Sequence, residues 1–129
     1  MNMYPERKAK IRILIVDDHS LMREGLKLLL SETEDMQVAE EASNGEEALD
    51  RLKNNKFDVM LLDINMPKKS GFEVLTELRA MGNQMPVVIL STFSTKDYRD
   101  LAIKAGASHY LTKEQAPEQL IDAIRKVLK

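Results

Sequence analysis

The chain of 129 residues has no cysteine and no tryptophan, and its glycines and prolines number only five and four. Without cysteine there are neither disulfides nor thiolate metal sites. Without tryptophan, and with three phenylalanines and three tyrosines, few rings are on hand to sandwich a flavin. An excess of charge is missing too. The 19 Lys and Arg against 21 Asp and Glu leave a net charge of -2, so no basic surface invites nucleic acid. No apolar run approaches the roughly 20 residues that span a bilayer. The opening "MNMYPERKAK" is polar, with no apolar stretch behind it before "ILIV" meets two aspartates, which argues against a signal peptide. The expected compartment is the cytoplasm, with no membrane and no direct nucleic-acid partner. What is present, 43% hydrophobic and 31% charged residues, suits one globular domain with one core.

Residues 1–10 read as a flexible leader and 11–129 as the domain. Short apolar runs then alternate with amphipathic stretches. "IRILIV" (11–16), "FDVMLLD" (57–63) and "PVVILS" (86–91) have the apolar, β-branched character of buried strands. "MQVAEEA" (36–42) and "SHYLT" (108–112) are weaker strands. Helical spacing covers 20–32, where Met22, Gly25, Leu26, Leu29 and Leu30 share a stripe, and also 44–55, with Asn44 as cap. It continues over 70–81, with Gly82 as a stop, over 95–107, ending at Gly106, and over 116–129, with Pro117 in the first turn. Five βα units in strict alternation predict a doubly wound parallel α/β sheet with helices on both faces. The three apolar strands belong in the centre and the two weaker ones at the edges. The flavodoxin-like (βα)5 order 2-1-3-4-5 satisfies this.

Ligands of such sheets sit beyond the carboxyl ends of the strands. There the sequence puts Asp17, Asp18 and His19, then Asp63, then Ser91 and Thr92, then Lys113. Two carboxylates about 4 Å apart repel by roughly 4 kcal/mol at an effective dielectric near 20. One lysine cannot balance three of them. A hard divalent ion with oxygen ligands can, which points to Mg2+, and phosphate oxygens commonly fill its open positions. Asp63 then reads as a phosphoryl acceptor, with Ser91 and Lys113 as donors to the phosphoryl group and Pro67 and Gly71 shaping the loop beside it.

Four segments, "ILIVDDHSLMREGL", "VMLLDINMPKKSGFEVL", "VVILSTFS" and "AGASHYLTKE", stand in an order and at a spacing that resembles the receiver domain of bacterial two-component response regulators. The first is most similar to receivers of the nitrate-regulator type, which carry a helix-turn-helix output domain. The resemblance implies a phosphorylation-dependent switch rather than an enzyme. Asp63 would take a phosphoryl group from a phosphohistidine on a sensor histidine kinase. Asp17, Asp18, Asp63 and the backbone carbonyl of Asn65 would hold Mg2+. Lys113 would pair with phosphoryl oxygens, Ser91 would move toward them, and Tyr110 would rotate inward behind it. Thr92 stands where family members often have a smaller residue. Glu114 follows Lys113 where many receivers have proline, which puts the family's cis peptide there in doubt.

Plainer readings stand beside these. Aspartates at a helix start favour its dipole. His19 reads as a loop residue rather than a ligand, and Lys68 and Lys69 as a solvated loop. Leu21 and Leu28, at i and i+7 off the apolar stripe, fit a homodimer contact or an output domain absent from this chain. A phosphohydrolase of the aspartate-nucleophile type wants a second aspartate two after the first, and Asn65 occupies that position. A flavodoxin-like electron carrier would set three carboxylates against the flavin's phosphate.

Overall fold

The computed structural model describes residues 9–129, so most of the expected leader lies outside the described residues. Ten elements alternate along the chain: β1 (Ile11–Val16), α1 (Ser20–Ser31), β2 (Met36–Ala42), α2 (Gly45–Asn54), β3 (Val59–Asp63), α3 (Gly71–Ala80), β4 (Val87–Ser91), α4 (Lys96–Lys104), β5 (His109–Thr112) and α5 (Ala116–Val127). The strands are parallel and ordered β2-β1-β3-β4-β5, the order that strand polarity predicts.

Alternation along the strands divides the core between the two faces of the sheet. Leu14, Val16, Met60, Leu62 and Ile89 meet Ala48 of α2, Val74, Leu75 and Leu78 of α3, and Ala102 of α4 on one face. Ile13, Ile15, Leu61, Val88 and Leu90 meet Leu26 and Leu30 of α1 and Leu120, Ala123 and Ile124 of α5 on the other. Apolar material on both sides explains why β3 and β4 read as unbroken apolar runs rather than alternating ones.

The ends of the elements depart from the periodicity in ways that have local causes. β3 starts at Val59 rather than 57 because Asp58 turns aside to accept the Arg12 amide through Oδ2 at 2.7 Å. α4 stops at Lys104, and Gly106 at φ +111 carries the chain away toward β5. Only the left-handed region permits that turn, which is why glycine stands there. In α1, Leu26 and Leu30 are buried as expected, but Gly25 is exposed with open space around it. The apolar stripe is therefore narrower than the spacing suggests.

Candidate acidic pocket at the carboxyl edge

Adjacent parallel strands deliver their last residues to one edge. Asp17 follows β1, Asp63 ends β3, Ser91 ends β4 and Lys113 follows β5. Asp17, Asp63 and Ser91 are buried. Lys113 Nζ lies 2.9 Å from Asp17 Oδ2 and 3.5 Å from Asp63 Oδ2. Asp63 is only 4% exposed. Burial, and next the charge of Asp17, push its carboxyl up to about 6, with Lys113 and the Asn65 amide pulling the other way. That amide is 3.4 Å from Asp63 Oδ1.

Two carboxylate oxygens here lack a hydrogen bond although they are buried: Asp63 Oδ2 and Asp18 Oδ1. Asp63 Oδ2 has Lys113 Nζ at 3.5 Å and Asp18 Oδ1 has the His19 ring nitrogen Nδ1 at 3.2 Å, but neither contact has hydrogen-bond geometry. Ligand atoms of Asp17, Asp18, His19 and Asp63 all lie within 4.8 Å of one another. Unsatisfied hard oxygens in such a cluster fit a divalent cation of the Mg2+ kind. Asn65 is exposed two residues beyond Asp63.

The loop after β3 is set by backbone contacts. The Gly71 amide donates to the Ile64 carbonyl at 2.8 Å. A Cβ on Gly71 would meet the Asp63 carbonyl oxygen at 2.2 Å, so no other residue fits against the backbone of Asp63. Lys68 has φ +71. Lys69 departs from the solvated reading: its side chain is half-buried and paired with Glu77 of α3.

On the β4 side, Ser91 Oγ accepts from the Phe93 amide at 3.0 Å, and the Tyr110 hydroxyl donates to the Phe93 carbonyl at 2.5 Å. Tyr110 is buried. The Phe93 ring stacks on Tyr98 of α4, with centroids 4.5 Å apart. Thr92 is exposed and lines a groove of about 450 Å³ with Lys113, Glu114 and Gln115. A groove of about 530 Å³ lies at the other end of the sheet, before β3 and β4, among Leu52, Phe57 and Met85, away from every carboxylate named here. The described residues contain no cis peptide, so the Lys113–Glu114 bond is trans.

Arg23 escapes sequence reasoning, and the direction of the His19 ring does too. Arg23 of α1 donates through Nη1 to the Asp17 carbonyl at 2.6 Å and through Nε to Glu41 Oε1 at 3.0 Å. It ties α1 and β2 to the pocket, and nothing in its helical position marks it. His19 turns its ring back to the carboxylates, with Nδ1 3.1 Å from Asp17 Oδ1 and 3.2 Å from Asp18 Oδ1.

Buried aspartates and a lysine at the edge of a 2-1-3-4-5 sheet set out a signalling receiver rather than a flavin carrier. The family of response regulator receiver domains matches residues 13–125, and the chain belongs to it. It is 42% identical over 118 residues to the uncharacterized transcriptional regulatory protein YxjL of Bacillus subtilis, an alignment covering 92% of this chain and 54% of that protein. It is 38% identical over 114 residues to the nitrate/nitrite response regulator protein NarL of Escherichia coli, covering 88% of this chain and 53% of that protein. The chain thus spans about half the length of these curated relatives. Among solved structures, the signal receiver domain of the putative response regulator NarL from Mycobacterium tuberculosis superposes with a TM-score of 0.88 at 30% identity, over 94% of this chain and 98% of that one. The likeness to the nitrate-regulator group and the flavodoxin-like fold are both borne out.

Proposed function

We propose that this receiver is a phosphorylation-dependent switch whose acceptor is Asp63 and whose donor is a phosphohistidine on a sensor histidine kinase. The observation that carries the reading is Asp63 Oδ2, a buried carboxylate oxygen with no hydrogen bond, 3.5 Å from Lys113 Nζ. In the transfer an Asp63 oxygen bonds to phosphorus as the phosphorus–nitrogen bond breaks, and the histidine nitrogen keeps the electron pair. Lys113 moves its charge from the carboxylates to the new phosphoryl oxygens. Asp17, Asp18, Asp63 and the Asn65 carbonyl are the residues that would hold Mg2+, which would neutralise charge on the phosphoryl oxygens.

Ser91 and Tyr110 hold the two backbone groups of one residue, Phe93. Turning Ser91 toward a phosphoryl oxygen releases the Phe93 amide while Tyr110 keeps the carbonyl. The pocket is thereby linked to the loop leading into α4, and phosphorylation shifts the balance between two arrangements of that loop. Thr92 lies at the mouth of the same loop. Tyr110 is buried with its hydroxyl on the Phe93 carbonyl, and in the switch we propose it backs the loop that Ser91 releases.

The chemistry of the chain itself extends to phosphorylation from small donors and self-dephosphorylation. The relatives are regulators of transcription by name, and we extend that to an output segment beyond this receiver or a separate partner, in the cytoplasm, with homodimerisation on phosphorylation as one route of control. Among the described residues no helix is long and apolar enough to cross a membrane.

The test is labelling by acetyl phosphate with Mg2+, read by intact-protein mass spectrometry. The wild type is expected to gain one phosphoryl group and Asp63→Asn none. Full stoichiometric labelling of Asp63→Asn overturns the assignment.

A further inference from the structure

We propose that His19 is an additional ligand of the acidic pocket and turns its preference from Mg2+ toward first-row transition ions such as Co2+, Ni2+ or Zn2+. The proposal rests on the pocket being a divalent-cation site, as read above. Its Nδ1 stands 3.1 Å from Asp17 Oδ1 and 3.2 Å from Asp18 Oδ1. Two ligands about 2.1 Å from one ion and at right angles are about 3 Å apart. Nδ1 therefore stands from each of the two oxygens at the spacing of adjacent corners of one coordination shell, a distance at which it also hydrogen-bonds Asp17 Oδ1. A second observation points to an ion independently: Asp63, which is 4% exposed, keeps Oδ2 without a hydrogen bond in the same cluster. His19 is the N-cap of α1 and its side chain caps nothing, so the ring's direction is set by its contact with Asp17 and not by the helix.

Neutral imidazole suits transition ions, while Mg2+ prefers oxygen. The competing account makes His19 only a hydrogen-bond partner that occupies Asp17 Oδ1. The two accounts predict opposite signs. A partner held on Asp17 Oδ1 competes with every metal ion for that oxygen, so its removal strengthens binding of all of them. A ligand supports transition ions, so its removal weakens those and leaves Mg2+ nearly unchanged.

The experiment titrates the wild-type chain and His19→Ala with CoCl2 and with MgCl2 by calorimetry, and records the visible absorption of bound Co2+. The side chain of His19 is 65% exposed, so the substitution does not threaten the core. In His19→Ala, Co2+ affinity is expected to fall at least about tenfold, with loss of the nitrogen-ligand absorption. Mg2+ affinity is expected to stay within about threefold. Co2+ affinity that is equal or tighter in His19→Ala overturns the proposal. Mg2+-dependent labelling of the wild type with acetyl phosphate separates the two readings. Wild type that takes the label while Co2+ affinity ignores His19 loses the ligand role alone, and wild type that binds neither ion loses both.

Discussion

Asp63 is a liability to the folded chain as well as the phosphoryl acceptor we propose. Its carboxylate is buried, faces Asp17, and has an oxygen that nothing hydrogen-bonds. Ionised groups in such places cost stability unless a partner compensates. The sign follows from linkage. Its folded value is raised from 3.8 to about 6, so the folded state holds a proton that the unfolded state has already lost. The stabilising protonation is complete below about pH 4 and is lost as pH rises through 6. Above that, the ionised carboxylate weighs against folding by on the order of 1–3 kcal/mol. Asp63→Asn, in EDTA at pH 7.5, is therefore expected to resist urea better than the wild type by that order. The gap should narrow toward pH 4. A less stable Asp63→Asn at pH 7.5 would show that attraction to Lys113 outweighs burial. The residue-scale price of the site is thus measurable without any phosphodonor.

At the scale of elements, the start of α2 braces the loop beside Asp63. Asn44 caps the helix by accepting the Glu47 amide at 2.9 Å, and Glu47 reaches back to the Ser43 amide at 3.1 Å. A Cβ on Gly45 would meet Val74 Cγ2 at 2.7 Å and the Lys69 carbonyl oxygen at 2.8 Å. Gly45→Ala must push α2 away from the β3–α3 loop. Overpacking of this kind costs about 1–3 kcal/mol, and the expected readout is a lower thermal midpoint together with slower labelling of Asp63. An unchanged midpoint and rate would mean that α2 gives way freely. Asn44 was legible as a cap because the sequence places a good capping residue before a helical period. The central strands and the strand order were legible because burial on both faces demands apolar runs. The Lys69–Glu77 pair, the bond from Arg23 to the Asp17 carbonyl and the direction of the His19 ring were not. Each depends on how a loop turns or on which strand a helix meets, and neither periodicity nor composition records that. The narrower stripe of α1, with Gly25 outside it, shows the reverse error: spacing counts a glycine as part of a face that has nothing there to bury.

For the whole molecule, the question is how a charge change at one edge reaches a partner, and α1 offers a route. Leu26 and Leu30 bury one side of the helix, while Leu21 and Leu28 remain 83% and 70% exposed on another. Seven residues of helix separate those two by about 10 Å along the axis. Between them Gly25 leaves open space, so the leucines stand as separate knobs on a surface that a second helix can approach closely. The same helix begins at His19, beside the carboxylates, and its Arg23 grips the Asp17 carbonyl. A contact made on α1 and the charge state of the pocket therefore share a rigid element. We expect phosphorylated protein to self-associate more than the free form, and Leu21→Glu to suppress the increase while leaving stability within about 0.5 kcal/mol, as exposed substitutions usually do. Sedimentation of both proteins with and without acetyl phosphate reads this directly. If Leu21→Glu sediments as the wild type does in both states, α1 is not the surface through which phosphorylated copies meet.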